Sequence, residues 1–180
     1  MKRILLLGAS GTGTTSTAAI VSQKLGIFHG DSDYYFWEPT DPPFEKIRSI
    51  EVIQSLLRQD LEKHESFVLS GSFCEWGDMI IPYLDHVFFL QAPVPIRIQR
   101  LKDRESARFG KSIEPGQVHH GKFMNFLKWS EAYDSGGVSR TRKLHEDWLA
   151  DSPTAHTIVS TDQPQSQVID TILKILMKLA

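Results

Sequence analysis

The stretch GASGTGTTSTA, Gly8 to Ala18, decides how the rest of the chain is read. It follows Ile4-Leu5-Leu6-Leu7, a short continuous apolar run of the kind buried on both faces of a parallel sheet. After it, Ala18, Val21 and Leu25 recur at helical spacing, and Gly26 stops the helix. A glycine-rich turn between a buried strand and a helix can bind anions through backbone alone. The first N–H groups of a helix lack internal partners, and the helix dipole stands behind them. From Gly8 to Thr15 the residues follow the phosphate-loop pattern G-x-x-x-x-G-K-[ST], except that Thr14 stands where lysine is expected. Gly8, Ser10, Gly11, Thr12 and Gly13 are the expected cradle, and Thr14, Thr15 and Ser16 open the helix behind it. The Thr15 hydroxyl takes the position that meets Mg²⁺ in this pattern. Two other readings stand beside it. One is an ordinary glycine-rich turn; the other is a dinucleotide turn, which would need Gly or Ala at Ser16.

Outward from the loop, short apolar runs alternate with helical patterns. Ile27-Phe28-His29, Phe67-Val68-Leu69, His86–Leu90 and His156–Ser160 read as further strands. Ile47, Ile50, Ile53, Leu57 and Leu61 read as one face of an amphipathic helix. Val168, Ile169, Ile172, Ile175, Leu176 and Leu179 read as the face of a terminal helix. This alternation predicts βαβ units and a parallel sheet. Between the fourth and fifth strands, Arg104 to Ala150 is polar and aromatic and longer than one crossover needs, so it reads as an insertion over the active face.

Bulk composition narrows the class. The chain has 180 residues, 41% of them hydrophobic, which fits one domain with a core and excludes a disordered chain. A net charge of -2 argues against a general nucleic-acid binder. The single cysteine, Cys74, excludes an intrachain disulfide. No run approaches the roughly 20 apolar residues of a membrane helix, so a soluble, cytoplasmic protein is expected, with no membrane partner.

Three constellations lie where ligands of an open parallel sheet bind, at the carboxyl ends of the strands. Asp31 and Asp33 follow the second strand; carboxylates there can hold Mg²⁺ through water, deprotonate an acceptor hydroxyl, or simply cap a helix. The Ser70-Gly71-Ser72 turn permits close backbone approach to a substrate at Gly71. Arg97, Arg100, Arg104 and Arg108, spaced 3, 4 and 4, share one side of a helix, and guanidinium forks match phosphate geometry. The aromatic cluster Tyr34 to Trp37 either floors a pocket or packs its loop on the core. Adjacent His119 and His120 point apart on a helix and make a poor metal pair.

Taken with HGDSDYYFW, VLSGS and RLKDRESARFG, the glycine loop resembles the P-loop small-molecule and nucleoside-monophosphate kinases, of the adenylate-kinase and shikimate-kinase kind, in a branch with Thr for the loop lysine. The resemblance runs along essentially the whole chain. It implies a three-layer α/β/α fold with a five-stranded parallel sheet of order 2-3-1-4-5. It also implies a single domain over residues 1–180, with an acceptor-binding segment at 31–65 and a lid with following helices at about 104–150. The implied cofactors are ATP and Mg²⁺, and the partners a nucleotide and a small acceptor. By resemblance Asp33 is the acceptor-side carboxylate, Asp31 is the Mg²⁺-side one, and Arg48 meets an anionic group of the acceptor. Arg104 and Arg108 close over the phosphates, and Arg140 or Arg142 could join them. The expected activity is phosphotransfer; the alternatives are nucleotide sensing without transfer, or weak hydrolysis.

Overall fold

The computed structural model describes residues 2–179. Strands β1 (Arg3–Gly8), β2 (Phe28–Asp31), β3 (Phe67–Ser70), β4 (His86–Gln91) and β5 (His156–Ser160) form one parallel sheet in the order β2-β3-β1-β4-β5. The sheet order is the one implied by the resemblance. β1 is central, and its side chains alternate between two cores, as the two-residue period of a strand requires. Leu5 and Leu7 join Leu69, Val87 and Phe89 on one face, while Ile4 and Leu6 join Val68, Phe88 and Leu90 on the other. Helices α1 (Thr14–Leu25) and α7 (Gln165–Lys178) cover the second face, and α3 (Ile50–Lys63) and part of α6 (Arg142–Asp151) cover the first.

The periodicity reading of α3 needs trimming. Ile53, Leu57 and Leu61 are buried, but Ile50 is largely exposed and Ile47 lies before the helix, bridged to Trp37. The helix starts only at Ser49, whose Oγ accepts from the Val52 N–H. On α7 the buried stripe is Val168, Ile169, Ile172 and Leu176, while Leu179 lies past the helix end and is exposed. A five-residue helix, α2 (Ser32–Phe36), replaces the loop expected after β2. The insertion between β4 and β5 is helical: α4 (Val94–Phe109), α5 (His120–Glu131) and then α6. Among the described residues no helix is long and apolar enough to cross a membrane.

A buried polar relay joins the insertion to the sheet. His145 of α6, fully buried, bonds Ser72 Oγ through Nε2 (3.0 Å) and the Tyr133 hydroxyl through Nδ1 (2.9 Å). Both partners are hydroxyls, so a neutral imidazole can donate to one and accept from the other. Burial, and then the charge of Arg140, press its pKa down to about 3. The folded chain therefore takes up this proton less readily than the unfolded chain, whose histidine titrates near 6.5. Stability contributed by neutral His145 is full above that value and is lost as pH falls from about 6.5 towards 3. Denaturant titrations at stepped pH should show this loss, and His145→Gln should flatten the dependence in that window.

Candidate active site

The glycine loop runs from the end of β1 into the first turn of α1. Gly13 caps α1 in the left-handed region, at φ 88°, and the first helical bond runs from the Thr17 N–H to the Gly13 carbonyl. That leaves the N–H groups of the first turn facing outward. Thr15 is exposed and Thr14 half-buried, and neither is charged. Thr12 is buried, its hydroxyl donating to the Ala9 carbonyl at 2.8 Å, so that side chain holds the loop's shape.

Beside the loop lies a cavity of about 550 Å³. Its walls bring together Ser10, Asp33, Arg104, Arg108 and Arg140. Two of the four spaced arginines therefore reach the cavity and two do not. Arg97 is 1% exposed; it donates to the Ser130 carbonyl (3.0 Å) and to Asp134 (2.6 Å) and lies over the Tyr133 ring. Arg100 donates to the Thr161 carbonyl (2.6 Å) and towards the Gly11 carbonyl (3.4 Å), bracing the loop from behind. The root of α4 is thus structural, and its far end faces the site. Sequence could not choose between Arg140 and Arg142. In the structure Arg140 lines the cavity, while Arg142 pairs with Asp134 at 2.6 Å.

Asp33 is open to the cavity yet surrounded by protein. Burial, and then the charge of Asp31, raise its pKa above the ordinary carboxylate value; Arg140, Arg104 and Arg108 oppose the rise. Arg104 and Arg108 both pair with Glu105, at 2.7 and 3.7 Å. Each cavity arginine also lies over an aromatic ring: Arg104 over Phe126, Arg108 over Phe44 and Arg140 over Trp129. Lys122 of α5 bonds Glu45, which ties the insertion to the segment after β2.

The other expected site residues have different surroundings. Asp31 is the N-cap of α2: Oδ1 accepts from the Asp33 N–H at 2.9 Å, and Oδ2 accepts from Ser70 Oγ at 2.7 Å. Asp31 thus serves as the cap that a helix start demands, with both carboxylate oxygens accepting hydrogen bonds. Among the described residues no group of three or more His, Cys, Asp and Glu could hold a metal. The close approach at Gly71 is made by the protein itself: a Cβ there would lie 1.9 Å from Ser32 Oγ. Arg48 is not part of the cavity wall. It is half-buried before α3, its N–H donates to the Phe36 carbonyl, and its Nε has no partner. The aromatic cluster divides, with Phe36 and Trp37 on the cavity, Tyr35 in the core bonded to Asp60, and Tyr34 exposed. Phe123, Phe126 and Trp129 of α5 form a wall that sequence reasoning missed, although three rings at helical spacing in a polar insertion were a usable signal. Cys74 is buried, which pushes its thiol up to about 11 and keeps it protonated.

A protein-family model described as an AAA domain matches residues 4–114, from β1 through the whole of α4. The chain belongs to this family. The uncharacterized protein YqaC of Bacillus subtilis (strain 168) is 38% identical over 176 residues, covering 97% of each chain. A shikimate kinase of Azobacteroides pseudotrichonymphae genomovar. CFP2 is 28% identical over 152 residues, 77% of this chain and 88% of that one. Among solved structures, the shikimate kinase of Acinetobacter baumannii in complex with shikimate aligns with a TM-score of 0.58 at 17% identity, over 99% of this chain and 94% of that one. This AAA-domain chain therefore has the fold of P-loop kinases, with Ser10 of the loop, Asp33 and three arginines lining one cavity.

Proposed function

We propose that the chain is an ATP- and Mg²⁺-dependent phosphotransferase acting on a small hydroxyl- or phosphate-bearing acceptor. The observation that carries this reading is the convergence of Ser10 of the loop, Asp33 and three arginines on one cavity. The γ-phosphoryl would lie between the first turn of α1 and Asp33. Asp33 takes the acceptor's O–H proton as that oxygen bonds to phosphorus; the bond from phosphorus to the β,γ-bridging oxygen breaks, and ADP leaves. A raised pKa makes Asp33 a better base than a free carboxylate. Arg104 and Arg108 neutralise charge on the transferred group. Mg²⁺ arriving with the triphosphate would be held by Thr15 Oγ1, with Asp31 reaching it only through water, and would screen the phosphate oxygens. Gly8 to Ser16 hold the nucleotide chiefly by backbone. Arg48, outside the cavity wall, is left as an outlying contact for the acceptor.

A coupled assay with Mg·ATP across small hydroxyl acceptors and nucleoside monophosphates tests the reading, together with calorimetric titration of Mg·ATP. Gly13→Val should abolish nucleotide binding while circular dichroism stays native. A Cβ at Gly13 meets nothing closer than 3.6 Å, but valine disfavours φ 88° and would turn the N–H groups away. No purine nucleotide bound at millimolar concentration would sink the proposal. Thr14 favours a second reading, nucleotide sensing without transfer, which predicts binding with no turnover on any acceptor.

A further inference from the structure

The acceptor's own chemistry can be taken further from the cavity wall, on the basis that the cavity is the acceptor site of a phosphotransferase. The segment after β2 contributes Phe36, Trp37, Pro42, Pro43, Phe44 and Ile47 to that wall. From the insertion, α5 contributes Phe123, Phe126 and Trp129. Such walls offer flat apolar faces and few partners for hydroxyls. Among the described residues lining the cavity there is no Asn, Gln, Thr or Tyr, and the only hydroxyls are those of Ser10 and Ser139. Ser10 belongs to the phosphate loop. A compound with a hydroxyl on nearly every carbon would set some of them against the aromatic faces, leaving the charged groups, His119 and the two serines as the side chains that can pair them.

The charged groups say what else the acceptor carries. Arg104, Arg108, Arg140 and Lys122 face three carboxylates, those of Asp33, Glu45 and Glu105, so the cavity is net positive. Ion pairs among the described residues take in Arg104, Arg108 and Lys122 but not Arg140. Arg140 lies 5.9 Å from the centre of the Trp129 ring, and burial lowers its pKa while Asp33 raises it. A guanidinium held over a ring keeps its N–H edge free to fork an anion. We propose that the acceptor is a flat, aromatic compound bearing one hydroxyl and one carboxylate or phosphate, its ring between the Trp37 and α5 walls and its anionic group on Arg140.

The test is calorimetric titration of the full chain, without ATP, using 4-(hydroxymethyl)benzoate, shikimate and gluconate as probes. The flat probe should bind at least about tenfold more tightly than either polyhydroxy acid, a gap of about 1.4 kcal/mol. Trp37→Leu should erase most of that preference, and Arg140→Gln should weaken the flat probe about tenfold or more, with the fold intact by circular dichroism. Equal or tighter binding of shikimate or gluconate overturns the proposal, as does no binding of the flat probe at millimolar concentration. The two levels of inference fail separately. Preference for the flat probe with no transfer from ATP to any acceptor overturns the phosphotransferase reading alone. Transfer to shikimate or gluconate, with the flat probe unbound, overturns the substrate class alone.

Discussion

Asp33→Asn is expected to lower phosphoryl transfer by about 10²- to 10⁴-fold, the range for loss of a positioned general base, with Mg·ATP affinity little changed. The asparagine keeps the size of the side chain and its place on the cavity wall, so the loss falls on proton removal rather than on packing. The wild-type pH profile supplies an independent check. Burial and Asp31 raise the pKa of Asp33, so the basic form is lost at higher pH than for an ordinary carboxylate. The acid limb of kcat/KM should therefore sit above the ordinary aspartate value of 3.8 and should vanish in Asp33→Asn. An unshifted limb, or an asparagine variant with wild-type turnover, would remove Asp33 from the chemistry.

The arginine variants should rival that effect. Thr14 is uncharged and shorter than lysine, so under the proposed phosphotransfer the cation that lysine supplies would come from another element. Arg104 and Arg108 project from the far end of α4 into the same cavity as Ser10. Arg104→Ala or Arg108→Ala should lower transfer by roughly 10³-fold, as for a transition-state arginine, with a smaller effect on nucleotide affinity. Thr14→Lys should then help little. A panel in which Thr14→Lys greatly raises turnover, and both arginine variants match wild type, would mean that the arginines do not replace the lysine. Single-turnover kinetics separate these outcomes from changes in product release.

How much of this was legible in the sequence depended on whether the signal was local. The buried run Ile4–Leu7 followed by Gly8 announced strand, turn and helix together, because burial on both faces leaves no alternation to misread. Gly26 and the apolar stripe of α7 were equally plain. The order of strands is a property of the whole chain and came from family resemblance rather than from spacing. Ile47 and Ile50 continued the helical period on paper, yet the helix begins at the hydroxyl of Ser49 and leaves both outside its buried face. The four arginines illustrate the limit most clearly. Spacing placed them on one helix but could not reveal that Asp134, a distant residue, waits beside Arg97. Nor could it separate Arg140 from Arg142, since that choice is made by the turn before α6 and by Trp129. Asp31 and Asp33 look alike in sequence; one caps α2 and the other is left free.

The clasp at the root of α4 has a consequence for inheritance and engineering. Arg97 binds the Ser130 carbonyl and Asp134, and Asp134 in turn binds Arg142, so the chain leaves and re-enters the body of the protein at one point. Everything between is a loop with a closed neck, and lengthening such a loop costs little once its ends are fixed. The stretch after Arg108 can therefore be exchanged for one of different length and lining, while Arg100 stays to brace the phosphate loop. A graft that keeps Arg97, Arg100, Arg104, Arg108, Asp134 and Arg142 would carry a new cavity wall on an unchanged glycine loop.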